Sequence, residues 1–160
     1  MNHLYKELNI SSSIRNLSKV GSFVEEICDA YYITNSYFGN ILLSLEEAVK
    51  NAIIHGNKED EEKDVMISFQ RIPNGLKFTV TDEGAGFNYR TVPNPVEAPP
   101  GNTPNGAGIF LIRSLADKVS YNSKGNLVEI VFYISTINQE TTLNRISQMN
   151  QYFMKQKSMV

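Results

Sequence analysis

The chain has 160 residues, enough for one ordinary domain with its own core and too few for two. Hydrophobic residues make up 41% and charged residues 20%, a balance that fits a soluble globular protein and excludes a disordered one. Lys and Arg total 15 against 17 for Asp and Glu, a formal net charge of -2, which argues against a general binder of nucleic-acid backbones.

A single cysteine, Cys28, excludes an internal disulfide and any Cys-cluster metal site, and its apolar neighbours read as core packing. The segment Met1-Asn-His-Leu-Tyr-Lys6 lacks the apolar stretch of a signal peptide. No apolar run reaches the roughly 18–20 residues that span a bilayer. The expectation is a soluble, cytoplasmic protein that contacts neither membrane nor nucleic acid.

In chain order, residues about 4 to 10 mix Leu, Tyr and Ile with polar residues in the pattern of an edge strand. Ser11, Ser12 and Ser13 are candidate caps for a helix over about 14 to 31, in which Ile14, Leu17, Val20, Phe23, Val24 and Ile27 recur at the helical period. A second helix is predicted over about 35 to 55. Its core arc holds Ile41, Leu42, Leu45, Ala48, Val49, Ala52 and Ile53. Glu47 and Asn51 lie one turn apart on another face, flanked by Ser44, Ile54 and His55, while Lys50 is expected to face solvent.

The charge run Lys58-Glu-Asp-Glu-Glu-Lys-Asp64 reads as an exposed loop. Two strands follow, Val65–Gln70 and Leu76–Thr81, joined by a hairpin at Pro73-Asn-Gly75. Residues 87–105 hold five of the six prolines, and a loop of that length inside a compact domain is usually functional or disordered. A helix from Gly108 to about Ala116, a strand near 117–122, a turn at 123–126 and a strand over 127–134 complete the domain, taken as residues 1–137. The polar tail 138–160 carries Leu143, Ile146, Met149 and Phe153 at helical spacing, the mark of a short amphipathic helix on the domain or on a partner.

Three stretches carry chemistry. In Glu47-Ala-Val-Lys-Asn51, side chains four apart project together, so a carboxylate able to act as general base sits beside an amide oxygen suited to Mg²⁺. In Asp82-Glu-Gly-Ala-Gly86, a strand delivers a carboxylate able to accept hydrogen bonds from the exocyclic amine of adenine, and Gly84 and Gly86 permit close approaches that a Cβ would obstruct. In Gly106-Ala107-Gly108, a glycine-rich segment opening a helix offers backbone N–H groups to phosphates. It is not a P-loop, because the Gly-Lys-Ser/Thr ending is missing. Each stretch alone is explained as well by an amphipathic helix surface, a glycine turn or the start of a helix. Their order and spacing make the case.

Together, Glu47-Ala-Val-Lys-Asn51-Ala-Ile-Ile-His-Gly56, Asp82-Glu-Gly-Ala-Gly86-Phe and Gly106-Ala-Gly108-Ile-Phe-Leu-Ile112 resemble the GHKL ATP-binding superfamily, in particular its anti-sigma-factor serine kinases. The resemblance covers roughly residues 10–135. It implies an α+β fold: a two-layer α/β sandwich with a mixed, mostly antiparallel sheet and helices on one face. It further implies Glu47 as catalytic base, Asn51 as Mg²⁺ ligand and Asp82 as adenine reader. Gly84 and Gly86 would form the adenine-side turn, and Gly106, Ala107 and Gly108 the phosphate-lid hinge. The implied reaction moves the γ-phosphoryl of ATP to a serine or threonine of a STAS-type anti-anti-sigma protein. A sigma factor is a possible second partner, and a homodimer is the implied assembly.

Two positions depart from the pattern: Gly125-Asn-Leu-Val lacks the threonine that many relatives place there to help bind adenine, and Ala107 stands where many carry Arg or Met. The alternatives are a non-catalytic, nucleotide-gated module that sequesters a regulator, and a detached histidine-kinase ATP-binding domain. Glu47 favours the kinase, since a pure binder needs no base.

Overall fold

A computed structural model describes residues 4–91 and 107–159, with the backbone alone at 91 and 135–145. The elements are β1 (Tyr5–Ser11), α1 (Leu17–Ala30), α2 (Asn35–Asn51), β2 (Asp64–Ile72), β3 (Gly75–Thr81), α3 (Ala107–Leu115), β4 (Lys118–Tyr121), β5 (Leu127–Tyr133) and α4 (Ser135–Ser158). The strands form one five-stranded sheet in the order β1-β2-β3-β5-β4, with β1 at an edge as expected. All four pairings are antiparallel.

Alternation along the strands fixes which face is covered. Ile67 and Phe69 of β2, Leu76, Phe78 and Val80 of β3, and Val128, Ile130 and Phe132 of β5 are buried in one cluster with residues of α1 and α2. Between them stand less buried polar residues such as Ser68, Thr79 and Glu129, so the helices cover one face and the other is solvated. Phe69 lies opposite Phe78 in the register, and the rings of Tyr31, Phe69, Phe78 and Phe132 follow one another at centroid distances of 5.7, 5.5 and 6.3 Å. A slip of one residue would turn every one of these strand side chains to solvent, so the aromatic row pins the register.

The layered α+β class agrees with expectation, and Val20, Phe23, Val24 and Ile27 of α1 are buried as the helical spacing predicts. Burial pushes the Cys28 thiol up to about 12, which keeps it unreactive. The serine caps differ from expectation. Residues 14–16 form a short 3-10 turn, and Ser13 at its start makes no side-chain capping bond. Ser12 is buried instead, its hydroxyl donating to the Lys63 carbonyl at 2.7 Å and accepting from Asn57 Nδ2 at 2.8 Å. A side chain already bonded to a distant loop cannot also cap a helix.

Most of the tail lies in α4, a 24-residue helix that starts at Ser135, one residue after β5, and Ile146, Met149 and Phe153 on it are exposed. Ser44 also departs from expectation: it lies on the core side of α2, fully buried, and its Oγ has no hydrogen-bond partner among the described residues. A desolvated, unpaired hydroxyl costs stability. Ser44→Ala should therefore stabilise the protein by about 1 kcal/mol, seen as a higher urea midpoint at unchanged slope. A lower midpoint would contradict the assignment.

Candidate functional site

On α2, Glu47 and Asn51 stand one turn apart, and the start of α3 lies against both. A Cβ at Gly108 would sit 2.8 Å from Glu47 Oε2 and 3.3 and 3.4 Å from the Asn51 amide atoms Nδ2 and Oδ1. The first and third stretches thus meet, as their spacing led one to expect. The Glu47 side chain is only 19% exposed, and its Oε1 accepts a hydrogen bond from Lys50 Nζ at 3.0 Å. Lys50 therefore does more than face solvent. It holds one carboxylate oxygen and leaves the other directed at Gly108. Ala107 opens α3 on its exposed side, and Gly106 lies outside the described residues.

Past Asn51 the helix widens. Residues Ala52–Gly56 form a π-turn, closed by the Asn57 N–H donating to the Ala52 carbonyl at 2.8 Å. Such i→i+5 turns are rare and cluster at functional sites. Here the turn brings Gly56 against the loop after β3. A Cβ on Gly56 would lie 2.4 Å from Asp82 Cγ, and one on Gly84 would lie 2.1 Å from the Gly56 carbonyl oxygen. The first and second stretches therefore touch backbone to backbone, and Gly84 is required because no side chain fits. Gly86 adopts φ 81°, the left-handed region open to glycine, and packs against the Lys124 carbonyl. His55 is exposed at the end of the π-turn.

Asp82 is half-buried, and its Oδ1 accepts the Gly84 N–H at 2.8 Å. Burial holds its carboxyl above the usual carboxylate value, with the Gly84 N–H and the Lys124 charge opposing that shift. Beyond Gly86, Phe87 meets Tyr121 edge-on at 5.5 Å, and Tyr89 stacks on Tyr121 at 4.8 Å, which fastens the loop to β4. Burial pushes the Tyr121 hydroxyl up to about 12.

Three asparagines that the motifs did not single out hold the Asp82 loop. Asn57 Oδ1 accepts the Glu83 N–H at 2.8 Å. Asn126 accepts the Asp82 N–H on its carbonyl at 3.0 Å and donates from Nδ2 to the Asp82 carbonyl at 3.0 Å. Asn122 Oδ1 accepts the N–H groups of Gly125, Asn126 and Leu127 at 2.7, 3.1 and 3.2 Å. The spacing Asn122-x-x-Gly-Asn126 is a readable Asx-turn signal. Nothing local marks Asn57, because two of its partners, Ser12 and Glu83, lie 45 and 26 positions away. Asn126 occupies the position where threonine was missed, and its amide is turned onto the backbone of Asp82.

Among the described residues no cluster of three or more His, Cys, Asp or Glu offers a metal cage. The oxygens of Glu47 and Asn51 beneath Gly108 suit a hard divalent ion that draws its remaining ligands from phosphates and water.

The raised Asp82 carboxyl has a consequence for stability. Its contribution is fully present below the ordinary value of 3.8 and is lost as pH rises through the higher folded value, so ionised Asp82 burdens the empty protein near neutrality. Asp82→Asn keeps an oxygen for the Gly84 N–H and removes the charge. The variant should melt higher than the parent at about pH 7, with the gain shrinking toward about pH 4. Calorimetric melts showing no gain at neutrality would contradict this.

Comparison with known proteins gives a consistent result. The histidine kinase-like ATPase domain matches residues 10–132. The chain is 31% identical over 101 residues to the serine-protein kinase RsbW of Staphylococcus aureus (strain MSSA476), a match covering 58% of this chain and 63% of that protein. It therefore spans less than two thirds of that relative. It is 27% identical over 113 residues to the serine-protein kinase RsbW of Bacillus subtilis (strain 168), covering 65% of this chain and 71% of that protein. It is 33% identical over 99 residues to the anti-sigma F factor of Bacillus cytotoxicus, covering 59% and 68%. With its helix-covered antiparallel sheet and its glycine contacts around Glu47, Asn51 and Asp82, the chain belongs to the histidine kinase-like ATPase family of the GHKL superfamily.

Proposed function

We propose that this protein is an ATP- and Mg²⁺-dependent serine/threonine protein kinase of the anti-sigma-factor type, which phosphorylates a STAS-type anti-anti-sigma protein. The observation that supports this reading is the packing of Gly108 on Glu47 Oε2 and the Asn51 amide, a carboxylate able to act as base beside an amide oxygen able to hold a hard ion at the start of a helix. The relatives, two serine-protein kinases and an anti-sigma factor, point the same way.

In this reading Asp82 accepts a hydrogen bond from the adenine 6-amino group, and the N–H groups of Ala107 and Gly108 donate to phosphate oxygens. Asn51 would hold Mg²⁺, which supplies charge neutralisation on the triphosphate. Glu47 Oε2 takes the proton of the acceptor hydroxyl as its oxygen bonds to the γ-phosphorus and the bond to the ADP oxygen breaks. Positioning and charge suffice for such a transfer.

The second reading, a nucleotide-gated sequestering module, draws on one specific observation: the Lys50 ion pair occupies one oxygen of Glu47. A sigma factor as second partner, transcription regulation, a homodimer and a cytoplasmic location belong to the proposal. No helix among the described residues is long and apolar enough to cross a membrane.

Incubation with labelled ATP and candidate STAS-domain proteins, followed by mapping of the phosphorylated residue, tests the reading. Asn51→Ala should lose most Mg-ATP binding. Glu47→Ala should bind nucleotide normally yet transfer phosphate about 10²–10⁴-fold more slowly. Normal transfer by Glu47→Ala would overturn the base assignment, and label confined to a histidine would favour the histidine-kinase alternative.

A further inference from the structure

We propose that Asn57 and Asn126 are positioning residues for nucleobase selection, acting by fixing the direction of the Asp82 carboxylate. The inference rests on the nucleotide reading above and adds to it the source of base selectivity.

Three consecutive main-chain groups set the orientation of Asp82, and the two asparagines take all three. Asn126 accepts the Asp82 N–H on its main-chain carbonyl and donates from its side-chain amide to the Asp82 carbonyl, and the Asn57 side chain accepts the Glu83 N–H. The next N–H, that of Gly84, closes onto Asp82 Oδ1. No described residue donates a hydrogen bond to Oδ2, which leaves it as the oxygen for an exocyclic amine.

Both asparagines are themselves anchored, and in only one amide orientation. Asn57 is 1% exposed, and its Nδ2 donates to Ser12 Oγ at 2.8 Å and to the Asp64 carbonyl at 2.9 Å. Flipping the amide would set N–H against the Glu83 N–H and oxygen against the Asp64 carbonyl. Asn126 Oδ1 accepts from Asn122 Nδ2 at 2.7 Å, and the Asn122 oxygen is committed to three backbone N–H groups. Asn126 Nδ2 is thereby left facing Asp82. A neutral amide supplies donor and acceptor together without adding charge beside a half-buried carboxylate, which neither aspartate nor lysine can do.

A site built to hydrogen-bond a substrate N–H rejects an analogue lacking it, provided the acceptor is held in place. Loosening either asparagine should erode that discrimination more than it erodes overall binding.

The test compares the affinity of ATP with that of purine riboside triphosphate, which lacks the 6-amino group, for the whole protein and for Asn57→Ala and Asn126→Ala, with thermal midpoints recorded for each. The parent should prefer ATP about tenfold or more. Each variant should lose most of that preference while its affinity for the analogue changes less than about twofold. A merely structural role would weaken both ligands equally and leave the ratio intact, and that outcome overturns the proposal while the nucleotide reading stands. A parent with no preference for ATP would overturn the role given to Asp82, and the proposal with it. Should Asn57→Ala not fold, Asn126→Ala, at a half-exposed turn, decides the question alone.

Discussion

At the end of α2 the backbone comes so near the loop after β3 that a methyl group on Gly84 would lie 2.1 Å from the Gly56 carbonyl oxygen. The site is arranged around that approach. Asn51 and Gly56 are separated by about 7 Å of helix axis, so one face of one helix reaches both the start of α3 and the Asp82 carboxylate. The π-turn makes the approach possible by inserting an additional residue before Asn57 and turning Gly56 toward the sheet. The aromatic row beneath keeps the sheet in the register that delivers Asp82 to the same place.

The polar groups around this contact show how the Asp82 loop is held by hydrogen bonds. Asn122 and Asn126 bond to each other and to the backbone, Asn57 bonds to Ser12 and to the backbone, and Ser12 ties the end of β1 to the charged loop through Lys63. A satisfied network of this kind is rigid, because each group that moves leaves a partner unpaired. Asp82 is the exception within it: its charge is partly desolvated and only partly compensated by the Gly84 N–H and Lys124. Groups whose environments oppose their charge are concentrated where proteins bind and react.

Much of this arrangement was legible in the residues. Helical periodicity identified α1 and α2, strand-forming runs bounded by a hairpin signal and a turn identified β2, β3 and β5, and the four-residue interval from Glu47 to Asn51 put the two side chains on one face. The glycines at 84 and 108 marked places where backbone meets backbone or carboxylate. The π-turn was not legible, since Ala-Ile-Ile-His-Gly continues an α-helical pattern and nothing in it distinguishes i→i+5 from i→i+4 bonding. Ser12 and Asn57 were misjudged or missed because their partners are remote in sequence: Ser12 bonds to residues 45 and 51 positions away, and Asn57 to Ser12 and to Glu83, 26 positions away. Lys50 was assigned to solvent because a helical wheel shows which way a long side chain starts and not where its end group settles.

The central claim is that three segments far apart in sequence surround one nucleotide. Amide hydrogen exchange with and without Mg-ATP tests it most directly. Slowed exchange on nucleotide binding in residues 47–57, 82–86 and 107–113 together is the predicted result. Protection limited to one of these segments, or absent from all three, would contradict it.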